Sequence, residues 1–328
     1  MPDGIRWGIV GTGQIAATYV QAVRGGTAAD VTAVASRRPD TADAFAGVHG
    51  IATAHGSYEV LAEDPDVDVV YIATPHHRHL EDCLLYLGAG KHVVCEKPLA
   101  LDRAQATEIT EAARRSGCFL VEALWSRFVP AYRALVDVLA AGTIGQVLHV
   151  EASFGARLPV DPGNRLFDPE RAGGALLDLG IYPVQLAHLA LGSPTAVSAH
   201  ARIGETGVDE HTVVVMDFAD GGIAVGQAAI RTQLACTARI VGSDGVIELP
   251  RYMVCPRHID VETPDRRARI DAPPPASPWT TVVDEVGRCV RAGRTQTPMM
   301  SWAESLAIAG TLDEARAAIV VQSPISPA

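Results

Sequence analysis

Short apolar stretches alternate with helical stretches along residues 1–124, and this alternation constrains the fold more than any other feature of the chain. The apolar stretches are nearly continuous, which is typical of parallel strands covered by helices on both faces. They lie at 5–10, 30–36, 68–74, 91–97 and 118–124. Helical patterns lie at 14–25, 41–48, 57–64, 77–90 and 102–117. This order predicts an α/β domain built on a doubly wound parallel sheet, a Rossmann fold, over residues 1–124.

After residue 124 the pattern becomes that of an α+β domain. Strands are predicted at 146–155, 211–230 and 238–250, the last two containing ADGG and SDG turns of the kind that close hairpins. Helices are predicted at 130–142, 173–192, 279–292 and about 302–320. We therefore expect a second domain over 125–328 with an open, largely antiparallel sheet. The proline-rich stretch 251–278 is predicted to be a loop, and the helix at 302–320 could pack back on the first domain.

Composition narrows the classes of function. The net charge is −11 and the basic residues do not cluster, so the chain lacks the positive surface of a nucleic-acid or membrane-surface binder. No apolar run approaches the ~18 residues of a membrane span. The six cysteines form no CxxC pair, which indicates free thiols in a reducing, cytoplasmic compartment. A soluble protein with a small-molecule substrate fits these observations.

A glycine-rich turn follows the first predicted strand and opens the first helix. It reads GxGxxA, and its candidate cofactor-binding residues are Gly11, Thr12, Gly13, Gln14 and Ile15. Glycines allow the tight turn and the close approach of backbone to a pyrophosphate, which the helix N-terminus then binds. A tight turn without a ligand is the alternative, but the strand–turn–helix context favours a dinucleotide site.

The second predicted strand ends in Ser36-Arg37-Arg38, where NAD-binding proteins carry an acidic residue for the ribose hydroxyl. A guanidinium pairs well with a phosphate. These residues therefore favour NADP over NAD. The alternative is that Arg37 and Arg38 are ordinary surface arginines.

Two more strand ends point to the same crevice of the sheet. The third main strand runs into Thr74-Pro75-His76-His77-Arg78-His79, and the fourth into Glu96-Lys97-Pro98. Ligands of open α/β sheets bind outside the carboxyl ends of the strands, so Lys97 is expected near the nicotinamide. Three histidines at one strand-to-helix turn cannot all point inward, which argues against a metal site. We expect His76 and His79 to line the pocket and His77 to be exposed.

The predicted helix 173–192 carries Asp178 and Tyr182, four residues apart and thus on one face. Oxidation of a carbinol needs a proton acceptor, and a nearby Lys97 ammonium would lower the pKa of a tyrosine from its ordinary value near 10. Tyr182 is therefore a candidate acid/base. The alternative is that Asp178 is a surface charge of the helix and Tyr182 is a core aromatic residue, with no part in catalysis.

Several motifs occur together in a recognisable order: GIVGTGQIA, ATPHHRH, CEKPLA, EALWSRFVPA and GGALLDLGIYPVQ. With them the chain resembles the Gfo/Idh/MocA oxidoreductases over nearly its whole length, and within them the dimeric dihydrodiol dehydrogenase and NADP-dependent D-xylose 1-dehydrogenase group. The resemblance implies NADP-dependent hydride transfer at a hydroxyl of a sugar or cyclic trans-diol. It also implies a homodimer or homotetramer formed through the second domain's sheet.

The resemblance also implies roles for individual residues. Lys97 would be the catalytic lysine, Tyr182 the acid/base, and Asp178 the ligand of a substrate hydroxyl. The pocket positions would be filled by His76, His79, Trp125, Arg127 and Phe154. Further cofactor contacts would come from Thr74, Pro75, His79, Glu96 and Lys97.

Three other functions stay open at this point. The first is a reductase for a nucleotide-linked 3-keto-sugar, with positive charge supplied by Arg127, Arg157, Arg165 and Arg171. The second is a redox-neutral glycosidase that retains its nicotinamide. The third is a non-catalytic dinucleotide sensor, which would have no need of both Lys97 and Tyr182.

Overall fold

The computed structural model describes residues 4–26 and 29–321. The chain divides into two compact units. The first comprises Met1–Phe128 and Pro275–Leu306, and the second comprises Val129–Pro274 and Ala307–Ala328. The first unit thus takes in a segment that the predicted division at residue 124 assigns to the second domain.

The first unit is built on a six-stranded sheet in the order β3-β2-β1-β4-β5-β6. Its strands are β1 (Ile5–Val10), β2 (Ala29–Ala35), β3 (Thr53–His55), β4 (Val69–Ile72), β5 (His92–Glu96) and β6 (Leu120–Ala123). Its helices up to residue 128 are α1 (Gln14–Gly25), α2 (Pro39–His49), α3 (Tyr58–Glu63), α4 (His79–Gly88) and α5 (Arg103–Ser116). All strand pairs are parallel, and this is the strand order of a Rossmann fold. The predicted fold class of this half is confirmed.

The strands form where the apolar runs predict them because both faces of the sheet are covered. Every residue of β4 and of β6 is buried, as expected for strands between two helical layers. Strand β3 is not among the predicted elements. It is three residues long and polar at Thr53 and His55, so it leaves too weak a pattern to detect.

The segment 275–306 adds α8 (Thr280–Arg291) and the start of α9 (Trp302–Ala317) to the first unit. Helix α8 packs against α1, and the Thr280 hydroxyl donates to the carbonyl of Ala22 at 3.4 Å. The indole N–H of Trp302 donates to the carbonyl of Leu120 in β6 at 3.0 Å. The beginning of α9 is therefore part of the first unit.

The second unit is built on a nine-stranded sheet in the order β14-β13-β12-β11-β7-β10-β9-β8-β15. Its strands are β7 (Val147–Gly155), β8 (Ala196–Ile203), β9 (Asp209–Asp217), β10 (Ile223–Ala229), β11 (Ala238–Gly242), β12 (Val246–Leu249), β13 (His258–Thr263), β14 (Arg266–Asp271) and β15 (Ile319–Val321). Only β10 with β7 and β15 with β8 pair in parallel among the described strands, so the predicted largely antiparallel sheet is confirmed. Helix α6 (Pro130–Ala140) precedes the sheet, and α7 (Ile181–Leu191) packs against β7 and β10.

The loop prediction for 251–278 is wrong, since this stretch contains the β13–β14 hairpin. Ile259 and Val261 are buried and alternate with polar neighbours, which is the period of a strand with one covered face. The prolines at 273–275 lie after the hairpin and drew the prediction towards a loop. Strand β8 was also missed, and β15 occupies the end of the predicted helix 302–320 because α9 ends at Ala317.

One helical stretch, Pro169–Leu191, has the length and hydropathy that a membrane span needs. In this structure 78% of the most apolar part of the stretch is buried inside the protein, as in the core helix of a soluble protein. The stretch is therefore weak evidence of a membrane span.

Candidate active site

The glycine-rich turn between β1 and α1 has the geometry of a pyrophosphate cradle. Gly11 has φ +100°, and its backbone N–H donates to the carbonyl of Ala35 at the end of β2. A Cβ on Gly11 would lie 3.2 Å from the carbonyl oxygen of Ala73, so only glycine fits. A Cβ on Gly13 would meet nothing within 4 Å, and no side chain caps α1. The open N-terminus of α1 therefore fits a phosphate group, the part of a dinucleotide that such helix ends bind.

Ser36, Arg37 and Arg38 follow β2 directly beside this turn. The guanidinium of Arg38 is held by the Asp40 carboxylate at 2.7 Å, and both side chains are exposed. Arg37 is also exposed and lies near Tyr58, where its charge lowers the pKa of that tyrosine against the larger rise that burial causes. Arg38 therefore already has an anionic partner, whereas no carboxylate is recorded beside Arg37 among the described residues.

The loop after β4 is fixed by one fully buried carboxylate. Asp82 accepts the Thr74 hydroxyl at 2.6 Å and the Arg78 guanidinium at 2.7 Å. Arg78 in turn lies over the Tyr58 ring, 5.4 Å from its centroid. His76 is buried and His77 exposed, as the sequence predicts.

His79 contacts the backbone of two loops. Its ring is completely buried, with Nδ1 2.8 Å from the Pro98 carbonyl and Nε2 3.0 Å from the Thr74 carbonyl. Both contacts join the β4 loop to the β5 loop. His79 therefore connects the two loops, and its contact with substrate or cofactor stays a prediction.

Glu96 and Lys97 end β5 and are each only 9% exposed. The hydroxyl of Tyr71 donates to Glu96, and the Tyr71 ring stacks on Tyr19 with 3.5 Å between centroids. Burial raises the pKa of Tyr71 well above its ordinary value, and the Glu96 charge raises it further. Tyr71 therefore stays a hydrogen-bond donor that anchors Glu96 next to Lys97.

Trp125 and Arg127 follow β6 and are both buried. Arg127 forms an ion pair with Glu304 at 3.1 Å. The Trp125 ring stacks on the half-buried ring of Trp279, with 4.6 Å between centroids. Trp279 was not among the predicted site residues, and its distance of more than 150 residues from Trp125 leaves no local signal.

In the second unit, Asp178 lies in a π-helical turn, Leu176–Gly180, that leads into α7. Its carboxylate accepts the Arg165 guanidinium at 2.9 Å and is only 8% exposed. Such turns are often found at functional sites. The predicted regular helix thus begins irregularly, and Asp178 has a cationic neighbour that sequence spacing did not identify.

Asp209 holds the start of this turn and was also missed by sequence reasoning. It accepts the backbone N–H of Leu176 at 2.7 Å and the hydroxyl of Thr212 at 2.6 Å. Burial raises the pKa of Asp209. Gly174 has φ +120°, and a Cβ there would collide with the Asp209 carboxylate. The GG pair before Asp178 is therefore needed for this capping contact.

Tyr182 is 4% exposed and packs edge-on against Phe154, with 5.2 Å between centroids. Phe154, half-buried in β7, also contacts Tyr252 edge-on at 6.3 Å. The structure therefore brings the predicted residues Phe154 and Tyr182 into contact.

Within residues 4–26 and 29–321, no three His, Cys, Asp or Glu side chains are grouped to hold a metal ion.

Comparison with known proteins agrees with this architecture. The NAD-binding Rossmann fold of the oxidoreductase family matches residues 5–123, and the GFO/IDH/MocA C-terminal domain matches residues 132–248. The trans-1,2-dihydrobenzene-1,2-diol dehydrogenase of Danio rerio is 39% identical over 324 residues, 95% of this chain and 96% of that protein. The Mus musculus enzyme of the same name is 39% identical over 334 residues and 98% of both chains.

Among solved structures, a 3-ketoreductase from Actinomadura kijaniata in complex with NADP and TDP-benzene superposes with a TM-score of 0.87. It is 29% identical, and the match covers 97% of this chain and 98% of that one. The chain therefore belongs to the GFO/IDH/MocA family, and it is an NAD(P)-dependent oxidoreductase that acts on CH–OH groups.

Proposed function

We propose that this protein is an NADP-dependent dehydrogenase that oxidises a hydroxyl of a cyclic trans-diol or a sugar, with Lys97 and Tyr182 as its catalytic residues. One observation carries the proposal. Lys97 is a nearly buried lysine at the carboxyl end of β5, on the same sheet edge as the glycine-rich turn. The curated relatives named trans-1,2-dihydrobenzene-1,2-diol dehydrogenase support a diol as substrate.

The residues of the first unit suit the cofactor. Gly11 and Gly13 leave room for a pyrophosphate at the N-terminus of α1. A contact from Arg37 to the 2′-phosphate of the adenosine ribose is supported by its position two residues after β2. When bound, the nicotinamide ring accepts or supplies the hydride at its C4 atom.

Tyr182 and Lys97 divide the acid–base chemistry. In oxidation the phenolate oxygen of Tyr182 accepts the proton of the substrate hydroxyl and becomes a hydroxyl, and in reduction that hydroxyl returns the proton. The Lys97 ammonium stabilises negative charge that develops on the substrate oxygen. Asp178, held by Arg165, accepts a hydrogen bond from the neighbouring hydroxyl of the diol. The Actinomadura 3-ketoreductase has also been crystallised with a lysine replaced by alanine and with a tyrosine replaced by phenylalanine.

The experiment that tests the proposal measures NADPH formation from a panel of trans-diols and aldoses. We expect turnover with at least one cyclic trans-diol or aldose. Tight binding of NADP without turnover of any compound would instead indicate a dinucleotide sensor. Product formed without net NADPH would indicate a redox-neutral cycle.

A nucleotide-linked 3-keto-sugar is less well supported as the substrate. Of the four arginines that the sequence offers for its diphosphate, Arg127, Arg165 and Arg171 form ion pairs with Glu304, Asp178 and Asp168. The carboxylate paired with each of these arginines cancels much of the positive charge that would otherwise attract a diphosphate.

Arg37 should decide the preference for NADP. We expect Arg37→Ala to raise KM for NADP by about 10-fold or more, since one charge-assisted contact to phosphate is lost, and to leave KM for NAD unchanged. Steady-state kinetics with each cofactor measure the ratio. Arg38→Ala is the matched control, because Arg38 is already paired with Asp40. Equal loss with both cofactors would contradict this assignment.

We also propose that the protein is a homodimer formed through the second unit's sheet. Helix α7 packs against one face of β7 and β10, and on the other face Val213, Val215 and Val225 are half-exposed in adjacent strands. On the same face, Glu151 of β7 lies between Val225 and Arg239, and Arg239 pairs with Glu248 of β12. A second copy would cover the same patch with its own valines, as a two-fold interface requires.

Val225→Glu should convert this dimer into a monomer, because it places a charge in the apolar centre of the interface. Light scattering after size-exclusion chromatography measures the mass. Val60→Glu, on the exposed face of α3, is the control and should leave the mass unchanged. A wild-type protein that is monomeric at micromolar concentration would overturn the proposal.

A further inference from the structure

Glu122 is a buried acid in β6 that lies beside the turn formed by Lys97–Leu99, called here the Lys97 turn. Its side chain lies in the interior of the first unit, where the residue is 3% exposed. It stands opposite Cys95 in the register of β5 and β6, two residues before Lys97. A carboxylate this deeply buried is costly unless its oxygens are matched by donors or cations.

Two donors match the Glu122 carboxylate. The backbone N–H of Leu99, two residues after Lys97, donates to Glu122 Oε1 at 2.9 Å. The hydroxyl of Ser305 in the first turn of α9 is the second donor. Glu122 therefore joins the turn that carries Lys97 to the start of α9, which Trp302 ties to β6.

The charges around Glu122 include two cations, Lys97 and Arg127. Arg127 forms its own ion pair with Glu304 at 3.1 Å. On β5, the neighbouring acid Glu96 accepts the Tyr71 hydroxyl, and the Cys95 thiol is kept protonated by burial, which raises its pKa. His79 of α4 reaches the same turn through the Pro98 carbonyl. Glu122 is thus the acid that combines a hydrogen bond to this turn with an attraction to the Lys97 charge.

We propose that Glu122 is a positioning residue for catalysis: it holds the Lys97–Leu99 turn through the Leu99 N–H and supplies a buried counter-charge to the Lys97 ammonium. The proposal rests on the proposed catalytic role of Lys97. It predicts that turnover depends on the ionised form of Glu122.

The direction of the pH dependence follows from the surroundings of Glu122. Burial raises its pKa above the ordinary value, although Ser305, the Leu99 N–H, Lys97 and Arg127 oppose this shift. As the pH falls, Glu122 therefore takes up a proton earlier than an ordinary glutamate does, and the counter-charge is lost. Activity that needs the ionised carboxylate is present above this pKa and disappears as the pH falls through it.

Glu122→Gln tests the charge, because glutamine can still accept the Leu99 N–H. We expect kcat at neutral pH to fall about 10-fold with KM for NADP unchanged, and the acidic limb of the kcat profile to vanish. Glu285→Gln is the matched control. Glu285 is a buried carboxylate of the same unit, held by Arg288 and Thr297, and its removal should leave the acidic limb in place.

A second readout does not depend on activity. The chain contains only two lysines, Lys91 and Lys97, so protein labelled with ¹³C at lysine Cε gives two lysine signals. In the wild type, the chemical shift of the Lys97 signal should change at acidic pH as Glu122 takes up its proton. In Glu122→Gln this change, the acidic step, should be absent. Lys91, whose ammonium donates to the carbonyls of Asp64 and Val67, is the internal reference.

Ser305→Ala provides a test if Glu122→Gln fails to fold. Removing the Ser305 hydroxyl takes away a contact that lowers the pKa of Glu122, so the acidic step of the Lys97 signal should move to higher pH. An acidic step that is unchanged in both variants would overturn the proposal. Full turnover in a Lys97→Met variant would instead refute the proposed function. The lysine spectrum of the wild type and of Glu122→Gln would still show whether Lys97 senses the charge of Glu122.

Discussion

Replacing Tyr182 with phenylalanine should lower kcat by about 10²-fold or more, the usual contribution of a general acid or base. Phenylalanine keeps the ring that packs edge-on against Phe154, so only the hydroxyl is lost. Binding of NADP should be unchanged, because the glycine-rich turn and Arg37 belong to the other unit. Initial rates and fluorescence titration of the cofactor measure the two effects separately.

Tyr132→Phe is the matched control for this experiment. Tyr132 is a buried tyrosine of the same unit whose hydroxyl accepts a hydrogen bond from Gln185 at 3.2 Å. Its loss should cost some stability and little turnover. A Tyr182→Phe variant with near-normal kcat would refute the acid–base role.

Replacing Lys97 with methionine should lower kcat by about 10²- to 10³-fold, as does the loss of one preorganised group that stabilises charge in the transition state. Methionine preserves much of the length and apolar volume of the lysine stem, which suits a position that is 9% exposed. The effect should appear in kcat more than in KM, because negative charge on the substrate oxygen develops during the reaction.

Lys91→Met is the natural control, since Lys91 is the other lysine of the chain. It ties Asp64 and Val67 together through backbone carbonyls, so its loss should lower the thermal midpoint and leave kcat unchanged. Turnover in Lys97→Met that equals turnover in Lys91→Met would refute the catalytic role of Lys97.

The fold of the first unit was predictable because its determinants are local. A parallel sheet covered on both faces requires continuous apolar strands, and the helices between them have their own period and stop signals. The same logic located the glycine-rich turn, the Arg37 segment and the Lys97 turn. In a parallel sheet the carboxyl ends of all strands meet at one edge, so residues far apart in the chain could be assigned to one crevice.

Prediction failed where burial or the partner of a side chain decided the outcome. The β13–β14 hairpin was missed because adjacent prolines outweighed a short alternating pattern. The contacts of His79 with two backbone carbonyls likewise depend on loops that only folding brings together. Asp178 was identified correctly as a residue of the helix, but its pairing with Arg165 depends on a π-helical turn that no spacing rule anticipates.

The sequence by itself therefore determined the family, the Rossmann sheet and the strand ends that carry the candidate chemistry, since these depend on local periodicity and short motifs. The tertiary structure alone decided which charges are matched. Glu122 reaches the Lys97 turn and Asp209 caps the Asp178 turn through contacts between segments distant in the chain. The cost of burying a carboxylate depends on donors that only folding brings within hydrogen-bond distance.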